Sequence, residues 1–198
     1  MKAGGASLAL LLLAASPAVS QTDARLVAFH DICLGDVAGG EDFRPAAVAG
    51  GWQPARDDVN SALGLALTSI RQMRGDPPVA LETYAKPALG AAVFLILADA
   101  RSQADGEGAS TRAVACSLCD FDATAPVAPE AISAWLQSEP TRAVDDPEAL
   151  VGRIWAATFA SPVAPRSSMV TSSYVPEGSP LAASLDFSNV ELKRLLAP

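Results

Sequence analysis

The chain has one histidine, three cysteines and no serine in a G-x-S-x-G context, and each shortage removes a class of chemistry. His30 is the only imidazole that could act as a general base, and it sits beside Cys33 rather than near an activated serine. No glycine-rich stretch is followed by the lysine and helix of a phosphate loop; Gly106-Glu107-Gly108-Ala109-Ser110 reads as a hairpin tip instead. Basic residues are few, 14 against 22 acidic ones, and the net charge of -8 argues against nucleic acid and anionic membranes as partners. After residue 20 no apolar run approaches the roughly 20 residues needed to span a bilayer. No repeat or long linker divides the chain, and with 50% hydrophobic residues it is suited to one folded domain.

What is present begins with an export signal. Lys2, the run LALLLLAA (Leu8 to Ala15) and Ala18-Val19-Ser20 match the charged, apolar and small-residue parts of a secretory signal peptide, so residues 1–20 are expected to be removed before Gln21. The mature domain is then 21–198, and loss of Lys2 takes its net charge from -8 to -9. No cysteine follows the apolar run, so a lipid-modified terminus is not expected. Arginine outnumbers lysine and alanine is abundant, as in GC-rich bacteria, which points to the periplasm or the medium.

Thr22 or Asp23 can cap a first helix in which Leu26, Phe29, His30 and Cys33 share one face, with Gly35 as its stop. A short helix over about 42–49 ends at Gly50-Gly51 and leaves Trp52 as a core plug. Val59, Ala62, Leu63, Ala66, Leu67, Ile70 and Met73 keep the helical period of a third helix, and Asp76-Pro77-Pro78 forces a turn. The pattern then changes to sheet: Val79 to Tyr84 as an edge strand, Val93 to Ala98 (VFLILA) as a buried strand, Thr111 to Leu118 as its antiparallel partner. Pro129 opens a helix through Gln137 that buries Ile132, Trp135 and Leu136. Pro147 to Val151 looks helical, while 153–159 (RIWAATF) fits strand or helix, with Gly152 favouring strand. Met169 to Tyr174 and Leu181 to Phe187, joined by Pro176-Glu177-Gly178-Ser179, read as a second hairpin followed by a short polar tail. The expected fold is α+β, an antiparallel sheet of about five strands with helices packed mainly on one face.

The cysteines pose the sharpest chemical choice. Cys116 and Cys119 have dithiol spacing, but a redox pair of this kind opens a helix, and here the residues from Asp120 to Pro126 separate the pair from the next helix. His30 and Cys33 with Cys116 and Cys119 would supply a one-His, three-Cys zinc set. Against it, a strand sends residues i and i+3 to opposite faces, and an oxidising compartment favours disulfides over thiolate ligands. The best-supported reading is a Cys33–Cys116 disulfide, because Cys116 lies on the more apolar strand face with Val114 and Leu118, and Cys33 on the apolar stripe of the first helix. Cys33–Cys119 is the second pairing; in the first, Cys119 is a spare thiol. Asp57-Asp58 and Asp145-Asp146 read as helix-start charges rather than a catalytic dyad, and Asp99, Asp105 and Glu107 do not have calcium-loop spacing. No catalytic residue, cofactor or metal is expected.

The early helix with FHDIC, the GGW after the second helix, and a strand cysteine followed by the PEAISAWL helix resemble small signal-peptide-bearing proteins of alphaproteobacteria. The resemblance spans most of the mature chain, implies no particular activity, and does not include Cys119. The expectation is therefore an exported, non-enzymatic protein that binds a protein partner or small ligand. The alternatives are a secreted hydrolase with a Ser/Asp site, or a zinc or thiol protein using His30, Cys33, Cys116 and Cys119.

Overall fold

The computed structural model describes residues 23–34, 42–73, 79–102, 111–159, 166–185 and 189–197. The signal peptide, Gly35, the turn at 76–78 and the tip at 104–110 lie outside these residues.

Helix α1 spans Ala24–Phe29, is capped by the Asp23 carboxylate accepting from the Arg25 N–H, and runs on as a π-helical turn, His30–Leu34. Helix α2 is Arg44–Ala49, and the chain leaves it through Gly51, whose φ of 78° suits glycine, to bury Trp52. Helix α3 is Ser61–Met73; the Asn60 side chain accepts from the Leu63 N–H and so sets its start. Val59 therefore lies ahead of the helix and is exposed, not on its apolar face as the periodicity implied. Helix α4 is Pro129–Leu136, ended by Gln137 in the left-handed region at φ 50°. Helix α5 is Pro180–Leu185.

The sheet is wholly antiparallel and has eight strands rather than about five, in the order β1-β2-β3-β4-β8-β7-β6-β5. They are β1 Gln53–Pro54, β2 Ala80–Ala85, β3 Val93–Ser102, β4 Thr111–Asp120, β5 Arg142–Asp146, β6 Leu150–Phe159, β7 Arg166–Val175 and β8 Asn189–Ala197. Two four-stranded meanders thus meet at their last strands, β4 against β8. The strand expected at 153–159 is β6, which starts earlier, at Leu150; the residues read as helical at 147–151 form the β5–β6 turn and the first two residues of β6.

Two further expectations are corrected. Leu181 to Leu185 is helix rather than strand, and residues 186–187 lie outside the described residues: Pro180–Leu185 is helix α5, because Ser179 caps it by accepting from the Ala182 N–H at 2.9 Å and Pro180 occupies the first turn, where its missing N–H costs nothing. The residues taken for a polar tail are β8, at the centre of the sheet. Val190, Leu192 and Leu196 alternate onto one face and are buried, while Glu191 and Lys193 point to the other and pair at 2.8 Å. The charges belong to a half-buried strand, not to a tail.

One face of the sheet, called here the stapled face, carries Leu95, Leu97, Val114, Cys116, Leu118, Leu192, Val170 and Trp155. It packs against α1 and its π turn, α2 and α4 through Leu26, Phe29, Ile32, Ala47 and Ile132. Ion pairs fix these helices at their ends, Arg25 to Asp120 and Arg44 to Glu82. On the opposite face lies α3, where Leu63 and Leu67 meet Phe94, Ile96, Cys119 and Phe121. Each of those two leucines contributes about 2 kcal/mol by its burial. Helices α1, α2 and α4 therefore share one face and α3 lies on the other.

Candidate functional site

The disulfide joins the π turn after α1 to the middle of β4: Cys33 and Cys116 are bonded, with Cα atoms 5.7 Å apart, and both are fully buried. Arg194 stands opposite Cys116 on β8 and donates from Nη1 to the Cys33 carbonyl at 2.8 Å. Burial holds this guanidinium below its ordinary pKa, and the carbonyl gives it a partner inside the core. Arg194 thus secures the same joint as the disulfide, a role the sequence did not announce.

Cys119 projects to the opposite face, opposite Glu191. It is 4% exposed, under α3 beside Phe94 and Phe121. Burial, and secondarily the Glu191 charge, push its thiol well above the usual range, so it is a packed, unreactive group. The spare thiol is therefore part of a second core rather than loosely held. His30 lies half-exposed against Trp135, ring centroids 4.7 Å apart, with Asp31 3.2 Å from Nδ1. The four residues of the alternative zinc set are not brought together: two sulfurs are bonded to each other and the third is across the sheet.

The carboxylates considered as dyads are engaged separately. Asp57 pairs with Arg71, Asp58 with Arg56 and Asp145 with Arg153, while Asp146 accepts from the Glu148 and Ala149 N–H groups of the β5–β6 turn. Asp99 is gripped by two hydrogen bonds from Arg112, which hold its carboxyl below the usual range; Asp105 and Glu107 lie outside the described residues. Among the described residues no group of three His, Cys, Asp or Glu side chains could hold a metal, and every buried side-chain polar atom has a partner.

Among the described residues, concavities lie in three places relevant to ligand binding. A notch of about 140 Å³ beside α2 is lined by Arg44, Glu82, Asp99 and Arg112, whose charges are matched within it. The Tyr84 phenol, next to Glu82, is raised, first by burial and then by the hydrogen bond it donates to Glu82. A cleft of about 550 Å³ follows α4 from Pro129 to Pro140 and is walled by polar residues such as Glu130, Ser133 and Gln137. The third, of about 480 Å³, is a groove over β5, β6 and β7 lined by Arg142, Val144, Leu150, Gly152, Ile154, Thr171 and Ser173.

This groove lies on the face that α3 leaves uncovered. Cross-strand rows show it: Ile96 on β3 leads through Ser117, Lys193 and Thr171 to Ile154 on β6, all on one face. Ile96 is buried under α3, whereas Ile154 is only partly buried and Val144 is 48% exposed. Gly152 lowers the floor between them. No motif marks these residues in the sequence; the alternation of Leu150, Gly152 and Ile154 with Trp155 on the other face is the available signal.

The chain matches no protein-family model, no curated protein and no solved structure. Among the described residues no helix is long and apolar enough to cross a membrane.

Proposed function

We propose that the chain is an exported, non-enzymatic binding protein of the periplasm or medium, and that its ligand surface is the groove on the open face of β5, β6 and β7. The groove itself carries the reading: about 480 Å³, apolar walls from Val144, Leu150 and Ile154, and the hydroxyl residues Thr171 and Ser173 to orient a ligand. That size and that mixture of apolar wall with few polar groups suit a small ligand or an apolar side chain of a partner. The Cys33–Cys116 disulfide supports export, since such bonds persist in oxidising compartments. A hydrolase built on a Ser–His pair would need a serine within reach of His30; among the described residues, the hydrogen-bond partner of that ring is Asp31.

Methyl resonances of Val144, Leu150 and Ile154 should shift when isotope-labelled mature protein is titrated with medium-chain fatty acids and alcohols as apolar probes. Gly152→Leu should abolish the shifts without lowering the melting temperature, because a Cβ at Gly152 meets only the Ser172 carbonyl oxygen, at 3.7 Å. Shifts centred on the α4 cleft, or none with any probe, would overturn the assignment. Export is tested by intact mass: material beginning at Gln21 is expected, and a full-length membrane-embedded product would refute it.

A further inference from the structure

The two ends of the sheet differ in how they treat an incoming strand. At one end β1 is two residues long and includes Pro54, which has no N–H to donate, so that edge is closed to pairing. At the other, β5 is exposed along all five residues and, among the described residues, pairs only with β6.

The direction of its backbone groups can be deduced. Arg153 Nη1 donates both to the Gly152 carbonyl at 2.8 Å and to the Val144 carbonyl at 3.0 Å, and Val144 stands opposite Gly152. One nitrogen reaches both oxygens only if both point into the gap between β5 and β6. Alternation then sends the N–H and C=O groups of Ala143 and Asp145 to the free edge.

We infer that β5 pairs with β5 of a second copy of this chain, antiparallel about Val144, joining two sheets into one. In this register Ala143 and Asp145 of one copy face Asp145 and Ala143 of the other and exchange four backbone hydrogen bonds. Val144 meets its counterpart at the non-hydrogen-bonded position, where side chains approach most closely. Arg142 of each copy faces Asp146 of the other. Among the described residues neither Arg142 nor the Asp146 Oδ2 has an ion-pair partner, the turn N–H groups being bonded to Oδ1. Asp145, which would otherwise add like charge at the seam, is neutralised by Arg153 in its own chain.

The sequence RAVDD is thus complementary to itself when reversed, and to no shifted register equally well. Because the β1 edge is closed, pairing stops at two copies rather than growing into a fibre. Five paired residues make a small interface, so association is weak, with a dissociation constant on the order of tens of micromolar. The inference concerns the strand edge and stands or falls independently of what the groove binds.

Sedimentation velocity of oxidised mature protein across a concentration series should show a monomer–dimer equilibrium that weakens with salt. Ala143→Pro, which removes only an outward N–H, should yield a monomer of unchanged melting temperature. Arg142→Glu and Asp146→Lys should each be monomeric alone, since each sets like charges opposite one another. Mixed one to one they should form a heterodimer, because both crossed pairs become attractive. Hydrogen exchange at Ala143 and Asp145 should slow as concentration rises. A chain that stays monomeric at millimolar concentration, a dimer indifferent to Ala143→Pro, or an equimolar mixture that fails to associate would each overturn the inference. So would protection of those two amides that is independent of concentration, which would mean that the edge is covered within one chain.

Discussion

The two meanders have the same strand arrangement and unequal surroundings. The first, β1 to β4, is covered on both faces, by α3 on one side and by the α1–α2 layer on the other, and the disulfide ties it to the helix layer. The second, β5 to β8, is covered on the stapled face, where the indole N–H of Trp155 donates to the Ser133 hydroxyl of α4, but on its other face Thr171, Ile154 and Val144 are only partly buried or exposed. Ile96 and Ile154 lie in one cross-strand row of the same face, one in a core and the other in a groove wall. Whether a strand position is core or surface is decided here by a single helix, not by the residue that occupies it.

The largest way to break this asymmetry is to cut the staple of the first meander. The Cys33–Cys116 bond spans a sequence separation of 83, and in the chain-entropy model closing such a loop stabilises by about 4.5 kcal/mol. Cys33→Ser and Cys116→Ser should each lose roughly that amount in denaturant melts under oxidising conditions, and peptide mapping of the intact protein should show this bridge. Loss of less than about 1 kcal/mol would show that the bond adds nothing to the fold.

The row itself offers the next comparison. Ile96→Ala should cost about 3 kcal/mol, as a buried large-to-small change does, while Ile154→Ala should cost about 1 kcal/mol or less. Equal losses at the two sites would mean that the second meander's open face is covered in solution. Cys119→Ser, beneath α3, should cost about 1 to 2 kcal/mol by placing a hydroxyl in an apolar site, less than either partner of the bridge. A larger loss at Cys119 than at Cys116 would reverse the roles assigned to the two sulfurs.

The smallest effect is electrostatic. Hydrogen bonds from Arg112 hold Asp99 below its ordinary value of 3.8 in the folded chain. Its contribution is therefore present above that ordinary value and is lost as pH falls below it, through the lowered folded value. Stability of the parent should drop more steeply than that of Asp99→Asn over this acidic range. Parallel curves for the two proteins in urea melts from pH 5 to pH 2.5 would remove Asp99 from the account.

Much of the first meander was legible before any coordinates. The 3.6-residue period of Leu63 and Leu67, the run VFLILA and the alternation around Cys116 are local patterns, and the elements they imply are present. The pairing of Cys33 with Cys116 was legible for the same reason, because each lay on the apolar side of its own element. In the second meander β6 and β7 are legible in the same way, but β5, α5 and β8 are not. The capping signal Ser179-Pro180 is short and sits inside what looks like a turn, and the short alternation of β8 is masked by Glu191, Lys193 and Arg194. Its charges made sense only once Arg194 had a carbonyl to bind and Glu191 and Lys193 an open face to occupy.

By itself the sequence determined which segments are helix or strand wherever an apolar period was long enough, which side of each is apolar, and how few groups are available for chemistry. The tertiary structure alone decided that the last strand lies at the centre, that α3 shelters one half of a face, and that, among the described residues, one sheet edge is blocked by Pro54 while the other, β5, pairs only with β6. Those features depend on contacts between residues far apart in the chain, and periodicity reports only which side of an element is apolar, not what comes to cover it.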